Sequence, residues 1–212
     1  AWQQLITFSV IGGLSSVKVI ATSPDQVKKV IEKKKTIYLN TLKDLVQIES
    51  GSKDIEGLDQ IAEVVAARLK QAGAEVSVEK SAQIYRMDDT PEQIGPMVKA
   101  VLKGKGKSKI MLIAHMDTVY EKGMLKDQPF KIEGDKAYGL GIIDDKQGVA
   151  AILHVIESLK KLNYQNYGTL TVLMNSDEEI SSPASRQMIT QTAQDQNLVL
   201  SFEGGGKEGH LR

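Results

Sequence analysis

Two stretches decide the fold: Ile110-Met111-Leu112-Ile113-Ala114 leading into His115-Met116-Asp117, and Thr169-Leu170-Thr171-Val172-Leu173-Met174 leading into Asp177-Glu178-Glu179. The second is apolar and β-branched, the pattern of a strand buried on both faces of a parallel sheet. A helix predicted from near Lys146 to Leu162 separates them. Strands alternating with helices define an α/β sheet.

Toward the C terminus, Ser185 to Ala193 reads as a helix and Leu198 to Phe202 as another buried strand. Toward the N terminus, Met97 to Leu102 is a strand. Gly104-Lys105-Gly106-Lys107-Ser108 joins it to Ile110, read as a hairpin or solvated connection rather than an anion-binding turn. Ala74 to Glu79 alternates with period two, as a half-buried strand does. Leu58, Ile61, Val64, Val65 and Leu69 share one face of a helix that Gly73 ends. An earlier helix starts at Ser23-Pro24-Asp25 and carries apolar residues as far as Ile48, with Gly51 ending the element. Gly134-Asp135 is a turn between Phe130-Lys131-Ile132 and Ala137-Tyr138. The expected fold class is α/β: a mixed, mostly parallel sheet with helices on both faces.

The 212 residues carry 27 Lys plus Arg and 27 Asp plus Glu, for a net charge of zero. The basic excess of a nucleic-acid binder is missing, so no nucleic acid is expected as a partner. Zero Cys excludes disulfides, Cys-type zinc sites and thiol nucleophiles together. Leu5 to Leu14 resembles the apolar region of a secretory signal, and Val19-Ile20-Ala21 its small-residue cleavage site. Residues 1–22 are therefore read as a signal remnant of a periplasmic or secreted protein, with a cytoplasmic location as the alternative. The run is too short and too polar to span a bilayer, so no membrane is expected either.

Four acidic or imidazole groups each follow a strand or a glycine-flanked turn: His115-Met116-Asp117, Asp144-Asp145, Asp177-Glu178-Glu179 and Glu203. In open α/β sheets the carboxyl ends of strands line the ligand crevice. The fold could therefore bring His115, Asp144, Glu179 and Glu203 to one rim. Carboxylates so close repel unless cations lie between them. One imidazole with several carboxylates suits zinc, cobalt or manganese. So many acids suit two ions, with Asp144 short enough to lie between them. Asp117 stands two residues beyond His115 and could orient the imidazole. Glu178 and Glu179 need different tasks: Glu179 could ligate while Glu178 serves as general base. Gly139-Leu140-Gly141 lacks the third glycine of a dinucleotide-binding motif.

These segments, with Gly134 to Lys146, Ser182, Ser185-Arg186 and Ser201-Phe202-Glu203, resemble the catalytic domain of the co-catalytic dizinc exopeptidases, in the glutamate carboxypeptidase and aminoacylase family. The resemblance runs from about Ile37 to Glu203. It implies that His115 and Glu203 share one zinc ion, that Glu179 holds the other and that Asp144 bridges. It further implies Glu178 as the base, Asp117 as the orienter and a cis peptide between Asp144 and Asp145. Leu140 stands where the family usually has Pro, and Ser181 where it commonly has Gly. The family continues beyond Glu203 with a lid and dimerisation domain and a last His ligand. Residues 23–212 are thus expected to be part of a catalytic domain, nearly inactive as given. A homodimer is expected only for the longer form. Of the other two histidines, His154 falls within a predicted helix and His210 where the family has no ligand.

The leading expectation is a zinc-dependent carboxypeptidase that cleaves the amide bond before a C-terminal acidic residue, in a small peptide or an acyl-amino acid. A second keeps the fold and changes the substrate, to an aminoacylase, deacetylase or dipeptidase. A third is a metal-binding fragment without catalysis.

Overall fold

The computed structural model describes residues 28, 29 and 32–205. Residues 1–35 and 36–212 separate into two compact units. In the first, the described residues Lys28, Lys29, Glu32 and Lys33 are helical. The signal-like run and the Ser23-Pro24-Asp25 helix start lie outside the described residues, as does His210. No helix among the described residues is long and apolar enough to cross a membrane.

The helices are α1 (Lys35–Val46), α2 (Ile55–Gln71), α3 (Gln147–Lys161) and α4 (Arg186–Gln194). The strands are β1 (Glu75–Glu79), β2 (Met97–Lys103), β3 (Lys109–His115), β4 (Lys131–Glu133), β5 (Lys136–Tyr138), β6 (Thr169–Asn175) and β7 (Leu198–Ser201). Five strands form one sheet in the order β1-β2-β6-β3-β7, and β4 and β5 form a separate hairpin. β3 lies parallel to both β6 and β7, whereas β2 is antiparallel to β1 and β6. Four strands therefore point one way and β2 opposes them, as the mixed, mostly parallel expectation requires.

The central strand β6 is buried along almost its whole length, which is why its sequence shows no alternation. Leu170, Val172 and Met174 of β6 share a core with Leu112 and Ala114 of β3 and Val98 and Ala100 of β2. Leu42 and Leu45 of α1, Ile61, Val65 and Leu69 of α2, and Ile152, Leu153 and Ile156 of α3 close that core. Each such side chain contributes about 1.5–3 kcal/mol by leaving water. The opposite face carries α4, which borders a groove of about 590 Å³ lined by Met97, Lys99, Val101 and Thr171. Helices on both faces were expected; here three cover one face and a single short one lies over the other.

Three expectations need correction. α1 ends at Val46, so Ile48 to Ser52 form a separate segment rather than the end of a helix. β1 is not half buried: of its side chains only Val76 packs against the core, and Val78 is 47% exposed. β7 is a strand but not a buried one, because Leu198, Val199 and Leu200 are each more than 40% exposed. Both are outer strands of the described sheet, where one neighbour is missing and burial falls. The Gly104 to Ser108 connection is the solvated one of the two expected forms and not a hairpin, because β6 lies between β2 and β3 in the sheet. The amides of Gly104, Lys105 and Gly106 donate to the carbonyls of Gly168, Gln165 and Tyr167, and none of the three is left to bind an anion.

Candidate metal centre

Parallel pairing sets His115 of β3 level with Asn175 of β6, so the loops after both strands leave the same edge of the sheet. β7 ends beside them, with the Phe202 amide donating to the Ile113 carbonyl, so Glu203 emerges there too. Asp144 arrives from the turn that opens α3. Gly141 makes that turn with φ +65°, and a Cβ there would meet the Thr118 methyl at 2.4 Å. The peptide bond between Asp144 and Asp145 is cis, as the resemblance implied.

These segments converge. One ligand atom each from His115, Asp144 and Glu179 lies within 4.8 Å of the others. His115 Nε2 is 2.9 Å from Asp144 Oδ1, 3.7 Å from Glu203 Oε2 and 3.9 Å from Glu178 Oε2. The imidazole forms the floor, 1% exposed, while the side chains of Asp144, Glu178 and Glu203 are about half exposed on the rim. All six residues singled out in the sequence meet at this one place.

Asp117 is wholly buried and links both sides of the site. Its Oδ1 lies 3.3 Å from His115 Nδ1 and accepts the Glu178 amide at 3.1 Å. Its Oδ2 accepts the Glu179 amide at 3.1 Å and the Ser52 hydroxyl at 2.8 Å. One carboxylate thus ties the imidazole to the backbone of both glutamates. Asp177 does not face the site: it accepts the amides of Ala184 and Ser185 and closes the loop that carries the glutamates. Ser181 turns that loop with φ +69°, a left-handed conformation that explains why glycine suits the position. Leu140, the other departure, is buried.

The electrostatics are those of crowded acids. Burial, then the neighbouring Asp144 carboxylate, pushes Glu179 up to about 7. Burial and its acidic neighbours also raise Glu203. Burial pushes Asp145 up to about 8. For His115, burial opposes the charged form, but the Asp117 hydrogen bond and the charges of Asp117, Asp145 and Glu203 prevail and push it up to about 10. Cations among these groups would relieve that repulsion, and an imidazole with carboxylates is a donor set that fits zinc, cobalt or manganese. Of the other histidines, His154 lies in α3, its Nε2 2.9 Å from Thr41 Oγ1, and His210 is outside the described residues.

Spacing did not reveal the Ile48–Ser52 segment. Lys146 donates to the Ile48 carbonyl, and the amides of Gly123 and Leu125 donate to the Glu49 carboxylate. The Ser50 hydroxyl donates to the Met116 carbonyl. Contacts of this kind join residues 65 or more apart and leave no local pattern to read.

A mixed sheet with acidic loops gathered at its carboxyl edge around one imidazole has the donor set of a metal centre. Residues 111–212 match the model of peptidase family M20/M25/M40, and the chain resembles the catalytic domain of that metal-dependent family. The particular likeness is to carboxypeptidase G2 of Pseudomonas sp. (strain RS-16), 44% identical over 165 residues, covering 78% of this chain and 38% of that protein. Acetylornithine deacetylase of Buchnera aphidicola is 32% identical over 161 residues, covering 73% of this chain and 39% of that one. Among solved structures, the dipeptidase Dug1p of Saccharomyces cerevisiae superposes with a TM-score of 0.71 at 19% identity. That match covers 87% of this chain and 42% of Dug1p, and it speaks for the fold alone. The chain spans about two-fifths of the length of each of these relatives.

Proposed function

We propose that the protein is a zinc-dependent hydrolase that cleaves the amide bond next to a C-terminal amino acid, in the manner of the glutamate carboxypeptidases. The observation that carries this reading is the convergence of His115, Asp144 and Glu179 with Glu178 and Glu203 at one edge of the sheet. The likeness to carboxypeptidase G2 supports the choice of bond. Two zinc ions fit the donor set: His115 with Glu203 on one side, Glu179 on the other, Asp144 between. Bound there, the ions would supply a Lewis acid for the scissile carbonyl and ease deprotonation of water.

The side chains do the rest. Glu178 stands at the rim beside His115 and takes a proton from the attacking water. It then returns that proton to the leaving amine. Asp117 holds His115 in orientation through Nδ1, by its main-chain carbonyl at 3.0 Å and its carboxylate at 3.3 Å, leaving Nε2 facing the acids. Among the described residues the Glu179 side offers carboxylates without an imidazole, so an ion there would be held more weakly.

A deacetylase or dipeptidase uses the same site with a different substrate, and the likeness to acetylornithine deacetylase favours keeping it as the second reading. Hydrolysis of acyl-glutamates, acetylated amino acids and dipeptides, each with added zinc, tests both. Turnover of the acyl-glutamate by the full-length protein is the expected result, with little from residues 1–212 alone; preference for acetylated substrates would select the second reading. Zinc uptake without any turnover would leave a metal-binding protein. The signal-like run in residues 1–21 supports an exported protein acting on small peptides or acyl-amino acids outside the cytoplasm.

A further inference from the structure

In the segment Ile48-Glu49-Ser50-Gly51-Ser52, four of the five residues bond to the loops of the metal centre and Gly51 lies against one of them. Ile48 takes the ammonium of Lys146, two residues past Asp144. Glu49 takes amides from residues 123 and 125. Ser50 donates its hydroxyl to Met116 and accepts the Thr118 amide through its carbonyl. Gly51 bridges Thr118, and the Ser52 amide donates to the Thr118 carbonyl. A Cβ on Gly51 would meet the Tyr120 carbonyl oxygen at 2.2 Å, so the strap lies directly against the loop after β3. It joins the loop that carries His115 and Asp117 to the turn that carries Asp144.

Ser52 is the one strap side chain that reaches the Asp117 carboxylate. It is 6% exposed, and its hydroxyl donates to Asp117 Oδ2 at 2.8 Å. We propose that Ser52 is a positioning residue of the metal centre, fixing the plane of the Asp117 carboxylate that sets His115 and the Glu178-Glu179 turn. Rotation about the last bond of an aspartate is soft, so its plane is set by its hydrogen bonds. His115 Nδ1 is hydrogen-bonded to the Asp117 main-chain carbonyl at 3.0 Å and pairs with carboxylate Oδ1 at 3.3 Å; that oxygen also takes the Glu178 amide, and the other takes the Glu179 amide and Ser52. Without the hydroxyl, Oδ2 keeps a single donor in a buried pocket and the plane turns toward it. That turn moves the imidazole and the glutamates relative to each other, and so changes both sides of the site at once.

Thr41 of α1 provides a control. It is 4% exposed, and its hydroxyl donates at 3.2 Å to the Ile37 carbonyl, outside the strap and the metal centre. Each hydroxyl supports the fold; only that of Ser52 reaches the acid behind the imidazole. The inference rests on the metal-centre reading above, and the experiment separates the two. Calorimetric zinc titration, the visible spectrum of the cobalt-loaded chain and the metal-free melting temperature are measured on wild type, Ser52→Ala, Ser52→Thr and Thr41→Val. Ser52→Ala is expected to weaken the tighter zinc roughly 10-fold, the low end for loss of a supporting group, and to shift the cobalt bands. Ser52→Thr is expected to restore both. Thr41→Val is expected to lower the melting temperature while leaving affinity and spectrum as in wild type. Wild-type zinc affinity in Ser52→Ala, or equal weakening in Thr41→Val, overturns the positioning role and leaves the metal centre standing. Absence of zinc binding by the wild type overturns both. If circular dichroism shows Ser52→Ala unfolded, Ser52→Cys takes its place with the same two outcomes, since it keeps the volume and donates only weakly.

Discussion

His115 Nε2 and Asp144 Oδ1 lie 2.9 Å apart, although 29 residues separate them in the chain. One ends β3 and the other sits in the turn before α3, so their meeting closes the site. On the two-zinc proposal Asp144 would lie between the ions, and no other acid of the site stands as near the imidazole. Asp144→Ala is therefore expected to release both zinc ions, because neither side keeps a full ligand set. Metal analysis after dialysis checks this; one retained equivalent would move the bridge elsewhere.

Glu178 and Glu179 are neighbours with different surroundings. The Glu179 carboxylate clusters with His115 and Asp144, while Glu178 reaches His115 only at 3.9 Å. Glu178→Gln is expected to retain zinc while hydrolysis by the full-length protein falls by at least ~10²-fold, the scale of general-base loss. Loss of zinc in that variant would reverse the two roles.

Zinc binding is expected to release protons. His115, pushed up to about 10, carries a proton at pH 7, and Glu179, pushed up to about 7, carries one part of the time. Both must be deprotonated to ligate. Calorimetry in buffers of different ionisation enthalpy should show at least about one proton released for the tighter ion at pH 7. Zinc uptake with no buffer dependence would contradict the protonated imidazole.

Glu49 links pH to stability. The amides of Leu125 and Gly123 hold its carboxyl below the usual 4.5. A group with a lowered folded pKa adds stability above its unfolded value and loses it as pH falls through the folded value. Wild type should thus exceed Glu49→Gln in melting temperature at neutral pH, with the gap closing below about pH 4.5. A gap independent of pH would assign the effect to packing.

Ser181 adopts φ +69° in the loop that carries the glutamates, and no hydrogen bond from its side chain accompanies that conformation. Ser181→Gly should remove the Cβ conflict and stabilise the fold by roughly 0.5–1 kcal/mol, offset in part by a freer unfolded chain. Denaturant unfolding measures the difference, and a destabilised variant would show that the serine side chain packs usefully.

Thr169 to Met174 shows by itself that it forms a central strand, because an apolar β-branched run has no other economical place than between two covered faces. His115, Asp117, Asp144, Glu178, Glu179 and Glu203 were legible for a related reason: each follows a strand or turn that periodicity and glycines mark, and parallel strands deliver their carboxyl ends to one edge. Burial of the outer strands was not legible. β1 has the alternation of a half-buried strand and β7 the composition of an inner one, and their place at the ends of the order β1-β2-β6-β3-β7 exposes them. The work of Ile48 to Ser52 also belongs to tertiary structure alone. A serine hydroxyl that meets a carboxylate 65 residues away leaves no period or spacing in the chain, since hydrogen-bond partners of that kind are chosen by how the loops pack.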